Sequence, residues 1–428
     1  MRKTSKSITH TDPMRVLMFI QSLELGGSEK QCVEMARLLA RNGFAVTVGC
    51  MRRTGPLRRK IAEAALELVE FPVASLLRPN ALVQMLRLAR FMRIRKFDVV
   101  QANDLYANLF AVPAARLAGI PVIVSSQRDL SDWWWYTPQR RKLLRAVQQL
   151  STCVIANSEA IRSQLVKEDG FDFEKIRVLY NGIDVERYAV GHPDLTRQAI
   201  GHSIEAKHRL IMVVANMHST VKGHSDVIGA AQIVCRDHSN VRFLLIGDGK
   251  MRPMFESQVR KAKLEKSVLF LGHRTDVPDI LSCGEIGLLV SKAEGLPNAV
   301  MEYMAAGVAT IATPVGGVPE IIEHENNGLL TSVGDPQCLS REIIRLLNDE
   351  SLRQRLGQAG RETMQARCGF DAVLSGLKRI YKRQLSVPSS VQQSRETIAA
   401  EQPTKIAYRD QPHTKCNFAK ITNQTFEG

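Results

Sequence analysis

Two glutamates with seven residues between them, Glu294 and Glu302, are the side chains of this sequence best suited to binding a sugar. An ionised carboxylate accepts hydrogen bonds in pairs, and the neighbouring hydroxyls of a ribose or a hexose match that geometry. Between the glutamates, Pro297 lies where a helix is predicted to begin, and the unpaired N–H groups of a helix N-terminus favour a phosphate. Hydroxyl acceptors on both sides of a phosphate site indicate a sugar nucleotide as the ligand.

The elements predicted around these residues form a strand–helix–strand unit. The apolar run at residues 286–290 is too short for a helix and indicates a buried strand. Pro297 presets the backbone for a helix start, and Gly307 can end that helix in the left-handed conformation. A second apolar run, residues 308–311, leads into the glycine turn at residues 316–317. Such a unit directs the helix N-terminus towards a ligand beyond the strand ends.

The run EGLPNAVME, followed by AAG and a GG turn, closely resembles the donor-site signature of the retaining glycosyltransferases of family 4. The resemblance implies the α/β GT-B fold, in which two Rossmann-like, doubly wound domains face a central cleft. It implies that Glu294 is catalytic and holds sugar hydroxyls, and that Glu302 binds the ribose of the donor. It also implies donor contacts from the residues between them, namely Gly295, Leu296, Pro297 and Asn298. A solvated helix start is the alternative interpretation of the pair.

A lysine in an earlier loop matches the family's diphosphate ligand. Lys222 and Gly223 follow the apolar run at residues 210–215, so the resemblance implies a catalytic role for Lys222 beside the departing phosphate. The arginine that the family usually presents in this loop is missing. Either the affinity for the donor is lower, or another residue such as Arg252 or Lys292 substitutes for that arginine.

Two further features of the C-terminal half are predicted to border the donor. Gly247 and Gly249 follow the predicted strand at residues 241–246, where the backbone must approach a ligand or a helix. Arg274 lies in the next turn, around which the family's base-binding contacts fall. We therefore expect Gly247, Gly249 and Arg274 to line the donor site.

The N-terminal half begins with a predicted strand at residues 15–20 and a glycine turn, although G-x-G-x-x-G is absent. Gly26 and Gly27 resemble the family's first glycine loop, which lets donor and acceptor approach the backbone; an ordinary tight turn is the alternative. Ser28 and Gln31 have the spacing of a capping box for the helix that follows.

Polar residues after two later strands are candidates for the acceptor side. Family members often place histidines there, whereas this sequence has Asn103 and Asp104 after residues 97–102, and Arg128 after residues 121–126. The departure removes the obvious general base, but the resemblance implies that the leaving phosphate can take the acceptor's proton. Asn103, Asp104 and Arg128 are expected to contact the acceptor, and surface polar positions are the alternative.

Two stretches of the N-terminal half suggest contact with a membrane surface. Residues 78–96 predict a basic amphipathic helix with no acidic residue, and residues 132–136 contain all 3 tryptophans. Either stretch could instead pack on its own domain, with the basic residues forming a solvated face. We predict an anionic membrane surface or a lipid-linked acceptor as a partner of this half.

Composition limits the class of protein further. The net charge of +15 lies mostly in the N-terminal half, but the basic stretches occupy separate elements without a recognition motif, so nucleic acid is not expected. The 8 cysteines are scattered singly, which favours a reducing compartment over disulfides or zinc. No Asp-x-Asp motif is present, so we expect a metal-independent enzyme without a cofactor. No apolar run approaches the roughly 20 residues of a membrane span, so we expect a cytoplasmic protein, soluble or peripheral on the membrane.

The predicted domain boundary lies at an Asn-Gly turn, Asn181 and Gly182, because such a turn is a natural hinge and NGID resembles the family's crossover. We expect a flexible N-terminus at 1–13, an acceptor domain at 14–183 and a donor domain at 184–369. Residues 370–385 resemble the helix with which the family crosses back to the first domain. Residues 386–428 are polar without an apolar pattern and are expected to be disordered.

The sequence therefore predicts a retaining glycosyltransferase that moves a hexose-type sugar from a nucleotide-diphospho-sugar to a hydroxyl of a glycan or lipid-linked acceptor. Cell-surface polysaccharide or glycolipid synthesis is the expected context. A sugar-nucleotide epimerase of the same fold is one alternative. A non-catalytic protein that binds carbohydrate or sugar nucleotide is another, because the family's histidines and arginine are missing.

Overall fold

The computed structural model describes residues 12–130, 137–189, 191, 193–201 and 204–386. Most of the predicted flexible N-terminus, the tryptophan segment at 132–136 and the predicted tail from residue 387 lie outside the described residues. No helix in the described part is both long enough and apolar enough to cross a membrane.

The first domain is built on a parallel sheet whose strands alternate with helices. The strands are β1 (Arg15–Ile20), β2 (Ala45–Cys50), β3 (Glu67–Glu70), β4 (Val99–Ala102), β5 (Val122–Gln127), β6 (Cys153–Ala156) and β7 (Ile176–Val178). The helices are α1 (Gly27–Arg41), α2 (Arg58–Glu63), α3 (Pro79–Arg95), α4 (Leu105–Ala118), α5 (Pro138–Gln149) and α6 (Glu159–Lys167), with a 3-10 turn at Phe173–Lys175. Within the described residues, the strand order is β3-β2-β1-β4-β5-β6-β7.

The second domain repeats this architecture. Its strands are β8 (Arg209–Val214), β9 (Val241–Ile246), β10 (Val268–Gly272), β11 (Ile286–Leu289), β12 (Ala309–Ala312) and β13 (Leu329–Leu330), in the order β10-β9-β8-β11-β12-β13 within the described residues. Its helices are α7 (Pro193–Ile200), α8 (His224–Asp237), α9 (Arg252–Lys261), α10 (Val277–Leu281), α11 (Asn298–Ala305), α12 (Val318–Ile321), α13 (Pro336–Asn348) and α14 (Glu350–Arg367), with 3-10 turns at Glu186–Tyr188 and Thr220–Lys222.

The central strands of both sheets, such as β4, β5 and β11, are buried on both faces, as their continuous apolar sequences require. In the first domain, α1 packs on one face of the sheet, and α3 and α4 pack on the other. A last helix, α15 (Phe370–Ser386), joins the core of the first domain through Val373, Leu374 and Leu377. Its Tyr381 hydroxyl donates to Gln101 Oε1 at 2.7 Å. The chain thus returns to the first domain after completing the second.

The order of the strands reverses beside β1 in the first sheet and beside β8 in the second. In parallel α/β sheets, ligands bind outside the carboxyl ends of the strands at such a reversal. The carboxyl ends of β1, β4 and β5 form one wall of the cleft, which we name the acceptor wall. The ends of β8 and β11, with the N-terminus of α11, form the donor wall. The prediction of two doubly wound Rossmann-like domains is confirmed.

The predicted capping box at the start of α1 is wrong. Gly26 is the residue that precedes the helix, and no side chain caps its first turn. Gln31 instead clamps the backbone of the crossover segment, because its Nε2 donates to the Gly182 carbonyl and its Oε1 accepts from the Gly182 N–H, both at 2.8 Å. A glutamine buried beside an amide is better satisfied by this reciprocal pair than by an exposed cap.

Candidate active site

An ion pair between Lys222 and Glu294 lies at the centre of the donor wall. The lysine Nζ is 2.6 Å from Glu294 Oε1, and the two side chains are only 17% and 7% exposed. Lys222 ends the 3-10 turn after β8, and Glu294 lies in the loop after β11. The two predicted catalytic residues, which are far apart in sequence, are therefore brought into contact at the point where the strand order reverses.

Two glycines allow the backbone to hold this pair. Gly223 has a φ of +68°, and a Cβ there would lie 2.2 Å from the Val290 carbonyl oxygen, so the lysine loop can rest directly on the end of β11. Gly316 has a φ of +55°, and its Cβ would lie 1.7 Å from the Glu294 carbonyl oxygen. Only glycine fits both the conformation and the space. The GG turn is thus the support beneath the glutamate loop.

Glu302 lies on α11, the helix that follows the loop of Glu294, and residues from both domains interact with it. Its carboxylate is half-buried on α11 and is hydrogen-bonded to the Tyr188 hydroxyl, which belongs to the 3-10 turn after the crossover. Burial raises the pKa of Glu302, while the positive charges of Lys30 and Arg187 oppose that shift. Burial and the nearby Glu302 also raise the pKa of the Tyr188 hydroxyl. Lys30 lies on α1, so both domains contribute to this position.

The N-terminus of α11 opens towards the junction of the domains. Pro297 precedes the helix and no side chain caps its first turn, which leaves backbone N–H groups available to a ligand. Asn298, the first helical residue, accepts a hydrogen bond from Asn181 Nδ2 at 2.8 Å. Asn181 Oδ1 accepts in turn from Arg128 Nη1 at 2.7 Å. The chain Arg128–Asn181–Asn298 therefore joins the acceptor wall, the crossover and the donor wall.

The remaining residues of the donor loop face the other domain or the core. A Cβ on Gly295 would lie 2.3 Å from the Arg128 carbonyl oxygen, so this loop touches the end of β5 directly. A Cβ on Gly27, at the start of α1, would lie 2.9 Å from Asn298 Nδ2. Leu296 is buried in the core of the second domain. The glycines at 27 and 295 thus mark close contacts between the two walls.

The other predicted donor contacts lie at the margin of the donor wall. A Cβ on Gly247 would lie 2.1 Å from the Ala215 carbonyl oxygen, and one on Gly249 would lie 2.3 Å from the Met217 carbonyl carbon. These glycines therefore serve the packing of the loops after β8 and β9. Arg274 makes a two-point ion pair with Asp276, at 2.8 and 2.5 Å.

The sequence suggests Arg252 or Lys292 as a substitute for the missing arginine. No described contact places either side chain at the donor wall. The Arg252 guanidinium bonds to Asp248 Oδ2 at 3.2 Å and to Glu256 Oε1 at 2.8 Å. Lys292 is exposed, and its positive charge acts on Asp226. Lys222 is therefore the cation that the structure brings to Glu294.

On the acceptor wall, Asn103 and Asp104 make their hydrogen bonds within their own domain and so stabilise the structure of the wall. Asn103 has no exposed surface; its amide accepts from Gln101 Nε2 at 2.8 Å and donates to backbone carbonyls of the core. Asp104 caps α4 by accepting from the Ala107 N–H at 2.7 Å, and its other oxygen accepts from the Gln21 N–H at 2.8 Å. Asn103 thus lies beneath the cleft floor, and Asp104 fixes the loop after β1.

Asp129, which sequence reasoning did not single out, is a carboxylate of the acceptor wall that interacts electrostatically with the ion pair. It follows Arg128 at the end of β5, and its carbonyl accepts from Gln127 Nε2 at 2.9 Å. Burial raises the pKa of Asp129 to about 6, with Lys222 and Arg128 opposing the shift and Glu294 and Asp104 adding to it. The electrostatic partners of this carboxylate therefore come from both walls.

Glu320 is a second residue that sequence reasoning missed. Its carboxylate oxygens accept from the backbone N–H groups of Glu159 and Ala160, at 2.7 and 2.8 Å, at the N-terminus of α6 in the other domain. Burial raises its pKa, and the two N–H bonds oppose that shift. A carboxylate from one domain thus caps a helix of the other. The local sequence carries no signal for this contact, because the partners are more than a hundred positions apart.

Two family models match the chain in series. The model described as Glycosyltransferase Family 4 matches residues 25–187, and the one described as Glycosyl transferases group 1 matches residues 197–363. Together they span more than half of the chain, one on each sheet. Two doubly wound domains that face a cleft are the architecture of the GT-B fold, which the similar solved structures share. The chain belongs to the family 4 glycosyltransferases, and it is an enzyme of the transferase class.

The chain is similar to several named proteins. The N-acetyl-alpha-D-glucosaminyl L-malate synthase of Bacillus anthracis is 31% identical over 248 residues, which cover 57% of this chain and only 63% of that protein. The UDP-Gal:alpha-D-GlcNAc-diphosphoundecaprenol alpha-1,3-galactosyltransferase of Escherichia coli is 23% identical over 345 residues, 77% of this chain and 86% of that one. The crystal structure of Anabaena HepE in complex with UDP-glucose has a TM-score of 0.75 at 22% identity, covering 87% of this chain and 100% of that chain.

Proposed function

We propose that this enzyme is a retaining glycosyltransferase that moves a hexose-type sugar from a nucleotide-diphospho-sugar to a hydroxyl of a glycan or lipid-linked acceptor. The observation that carries the proposal is the contact between Lys222 and Glu294, at 2.6 Å, beside the uncapped N-terminus of α11. A cation and a set of free N–H groups suit a diphosphate, and the adjacent carboxylate suits the hydroxyls of the sugar attached to it.

The proposed reaction makes and breaks bonds at one carbon of the donor sugar. The bond from the anomeric carbon to the diphosphate oxygen breaks, and the acceptor oxygen bonds to that carbon from the same face. The acceptor's proton passes to an oxygen of the departing diphosphate, so the charges balance. Lys222 and the N–H groups of α11 stabilise the negative charge that develops on the diphosphate in the transition state. The sugar hydroxyls displace the lysine as hydrogen-bond partners of Glu294.

Glu302 is proposed to hold the two hydroxyls of the donor ribose. It lies on the same helix as the phosphate-facing N-terminus, about one turn further on. A hydrogen bond from Tyr188 and the positive charge of Lys30 act on its carboxylate. Because Lys30 comes from the first domain, an empty donor wall and a filled one should differ in how firmly the two domains are held together.

On the acceptor side, we propose that Asp129 binds the reactive hydroxyl of the acceptor. Its carboxylate interacts electrostatically with Lys222 and Glu294. We therefore expect an acceptor hydroxyl that bonds to it to lie next to the donor sugar. Arg128, whose Nε has no hydrogen-bond partner among the described residues, remains a candidate for a second acceptor contact. This arrangement would take the place of the histidines that other members of the family present there.

The donor and acceptor classes are suggested by the relatives. The E. coli relative is named for a UDP-sugar donor and a diphosphoundecaprenol-linked acceptor, and HepE has been crystallised with UDP-glucose. UDP-sugars are therefore the first donors to test, and a glycan carried on a lipid diphosphate is the first acceptor. The proposed reaction needs no metal ion, because Lys222 and the helix N-terminus supply the positive charge; unchanged turnover in the presence of a chelator would support this.

The stereochemistry of transfer to water tests the proposal without knowledge of the acceptor. The full chain would be incubated with an α-linked UDP-hexose, and proton NMR would identify the anomer of the free sugar that appears first. Retention predicts the α-anomer before mutarotation, and first release of the β-anomer would overturn the retaining mechanism. Conversion of the sugar nucleotide to its epimer would favour the epimerase instead. Binding without any turnover of donor, with or without glycan acceptors, would favour the binding protein.

A further inference from the structure

Helix α3 of the first domain presents its larger aliphatic side chains to solvent. Leu82, Val83, Leu86 and Ile94 are 60%, 54%, 53% and 64% exposed. The face that α3 buries contains Ala81, Gln84, Leu88, Ala89 and Met92, two alanines and a glutamine among them. Only part of the apolar surface of this helix is therefore buried in the core.

Two further exposed leucines extend this surface, which we name the α3 face: Leu77, Leu82, Val83, Leu86, Ile94 and Leu117. Leu77 is 97% exposed just before α3, and Leu117 is 54% exposed near the end of α4. The two helices are tied there by the hydrogen bond from Arg93 Nη2 to the Leu117 carbonyl, at 2.6 Å. More than half of the exposed large apolar residues in the described part of the chain lie on this face. Scattered apolar residues need no explanation, but such a concentration does.

Cations lie between these apolar side chains. Leu82, Leu86, Arg90 and Ile94 follow one another at four-residue spacing, so they form one stripe along the helix. Arg78, Arg87 and Lys96 are also exposed. The helix contains no acidic residue, and Glu67, which pairs with Arg95 at 2.5 Å, is the one carboxylate that makes an ion pair with α3 among the described residues. The face is both apolar and strongly cationic.

We propose that the α3 face docks the protein on a phospholipid bilayer that carries anionic headgroups. Leucine and isoleucine side chains would enter the boundary between headgroups and acyl chains, while the arginines reach the phosphates with their flexible stems along the same surface. Anionic lipid complements the unpaired cations. A nucleic acid would use the arginines but would leave the exposed leucines in water, so the apolar residues favour the bilayer. The inference does not depend on the proposed reaction.

Vesicle flotation with the full chain tests this proposal. We expect the protein to float with vesicles of phosphatidylethanolamine and phosphatidylglycerol, and to remain unbound with vesicles of phosphatidylcholine alone. The double variant Leu82→Ser and Leu86→Ser should weaken binding about tenfold, because two aliphatic contacts are lost. The double variant Arg87→Gln and Arg90→Gln should weaken it by a similar factor, because two charges are lost. All four side chains are exposed, so the variants should fold, which their melting temperatures would check.

Matched controls come from the second domain. Val333→Ser removes an aliphatic side chain that is 45% exposed, and the pair Lys261→Gln and Lys266→Gln removes two exposed cations; both should bind vesicles as the wild type does. No flotation with anionic vesicles, or equal flotation of the leucine variant, would overturn the proposal. So would tighter binding to a DNA duplex than to the vesicles, with the arginine variant impaired and the leucine variant normal, which would indicate a nucleic-acid surface. Binding of a sugar nucleotide, measured in parallel, should be unchanged in all of these variants.

Discussion

The two walls of the cleft use their polar residues differently. On the donor wall, the Lys222–Glu294 pair and the N-terminus of α11 present groups that a ligand can bind directly. On the acceptor wall, Asn103 and Asp104 direct their hydrogen bonds at the backbone of their own domain, and Arg128 bonds to the crossover. The donor wall therefore holds the groups that the proposed donor would bind, whereas most polar residues of the acceptor wall support its shape.

This difference indicates where specificity should lie in each wall. A wall whose charged groups are available to a ligand can serve one ligand chemistry, which in the proposed function is a diphosphate and adjoining hydroxyls. A wall whose polar groups are internally satisfied offers few groups to an acceptor, and Asp129 is the main one that interacts electrostatically with the ion pair. The acceptor should then be selected largely by the shape of the loops, with a single carboxylate positioning the hydroxyl.

The largest effect is expected from Lys222→Ala. Removing the cation beside the departing diphosphate should lower kcat/KM by about a hundredfold to a thousandfold, because charge stabilisation in the transition state is lost. Lys292→Ala, which removes an exposed lysine from the neighbouring loop, is the matched control and should stay within about twofold. Donor hydrolysis measures both. A Lys222→Ala enzyme as active as the control would mean that the donor wall does not perform the chemistry.

Asp129→Asn should have a smaller and pH-dependent effect. The pKa of Asp129 is raised to about 6, so the wild type should lose transfer activity as the pH falls through that value, when the carboxylate becomes protonated. The variant should be about tenfold slower at neutral pH and should lack this acidic limb. A pH profile of kcat/KM checks both. An unchanged acidic limb in the variant would assign the titration to another group.

The same raised pKa makes a prediction about stability. An acid with a folded pKa above its ordinary value of 3.8 binds its proton more tightly in the folded state, so the wild type loses stability as the pH rises towards 6. Asp129→Asn should therefore melt at a higher temperature than the wild type above pH 6. The difference should vanish at a pH well below 3.8, where both side chains are neutral. A variant that is less stable at every pH would contradict this account.

Glu320→Ala tests the contact between the domains. The variant loses the two hydrogen bonds that Glu320 accepts from the first N–H groups of α6, while Ser158 still accepts from the Ile161 N–H. We expect a loss of about 1 kcal/mol of stability, as for other helix caps. Because the contact joins the two domains, KM for the donor should rise a few-fold while kcat changes less. Glu323→Ala, which removes an exposed carboxylate a few residues away, is the control. Equal KM values in the two variants would limit Glu320 to a structural role.

Gly27→Ala should have the smallest effect. A Cβ at this position would meet only the end of the Asn298 side chain, at 2.9 Å, and that amide can shift by a few tenths of an ångström. We expect no more than about a twofold loss of kcat/KM. Gly295→Ala is the contrasting change, because its Cβ would meet the Arg128 backbone at 2.3 Å and should separate the walls. Equal losses in the two variants would show that closeness of the walls is not what matters.

The sequence predicts the fold well, and it predicts which residues lie together at the donor wall, because both depend on local patterns. Parallel strands are short continuous apolar runs, and the bounds of β1 and β9 match the predicted ones. Lys222 and Glu294 lie in the loops after two predicted strands, and Asn298 lies at a predicted helix start. The reversal of strand order places these three residues together. The short edge strand β3, with glutamates at both ends, lacks the apolar run that reveals the others.

The acceptor wall and the contacts between the domains are harder to predict from the sequence, because they join distant parts of the chain. Gln31 is separated from Gly182, and Glu320 from α6, by more than a hundred residues. Asn103 follows a strand as a site residue would, yet it turns into the core. The position of a polar residue after a strand thus does not decide whether its side chain faces the cleft or the interior.

The central claim is that the Lys222–Glu294 edge binds a sugar nucleotide. The most direct test is a thermal-shift panel of UDP-, GDP-, ADP- and dTDP-sugars with the wild type, Lys222→Ala and Glu302→Ala, because a ligand that binds the folded state raises its melting temperature. We predict a shift for one nucleotide class in the wild type that both variants lose. No shift with any sugar nucleotide, or an equal shift in all three proteins, would contradict the account.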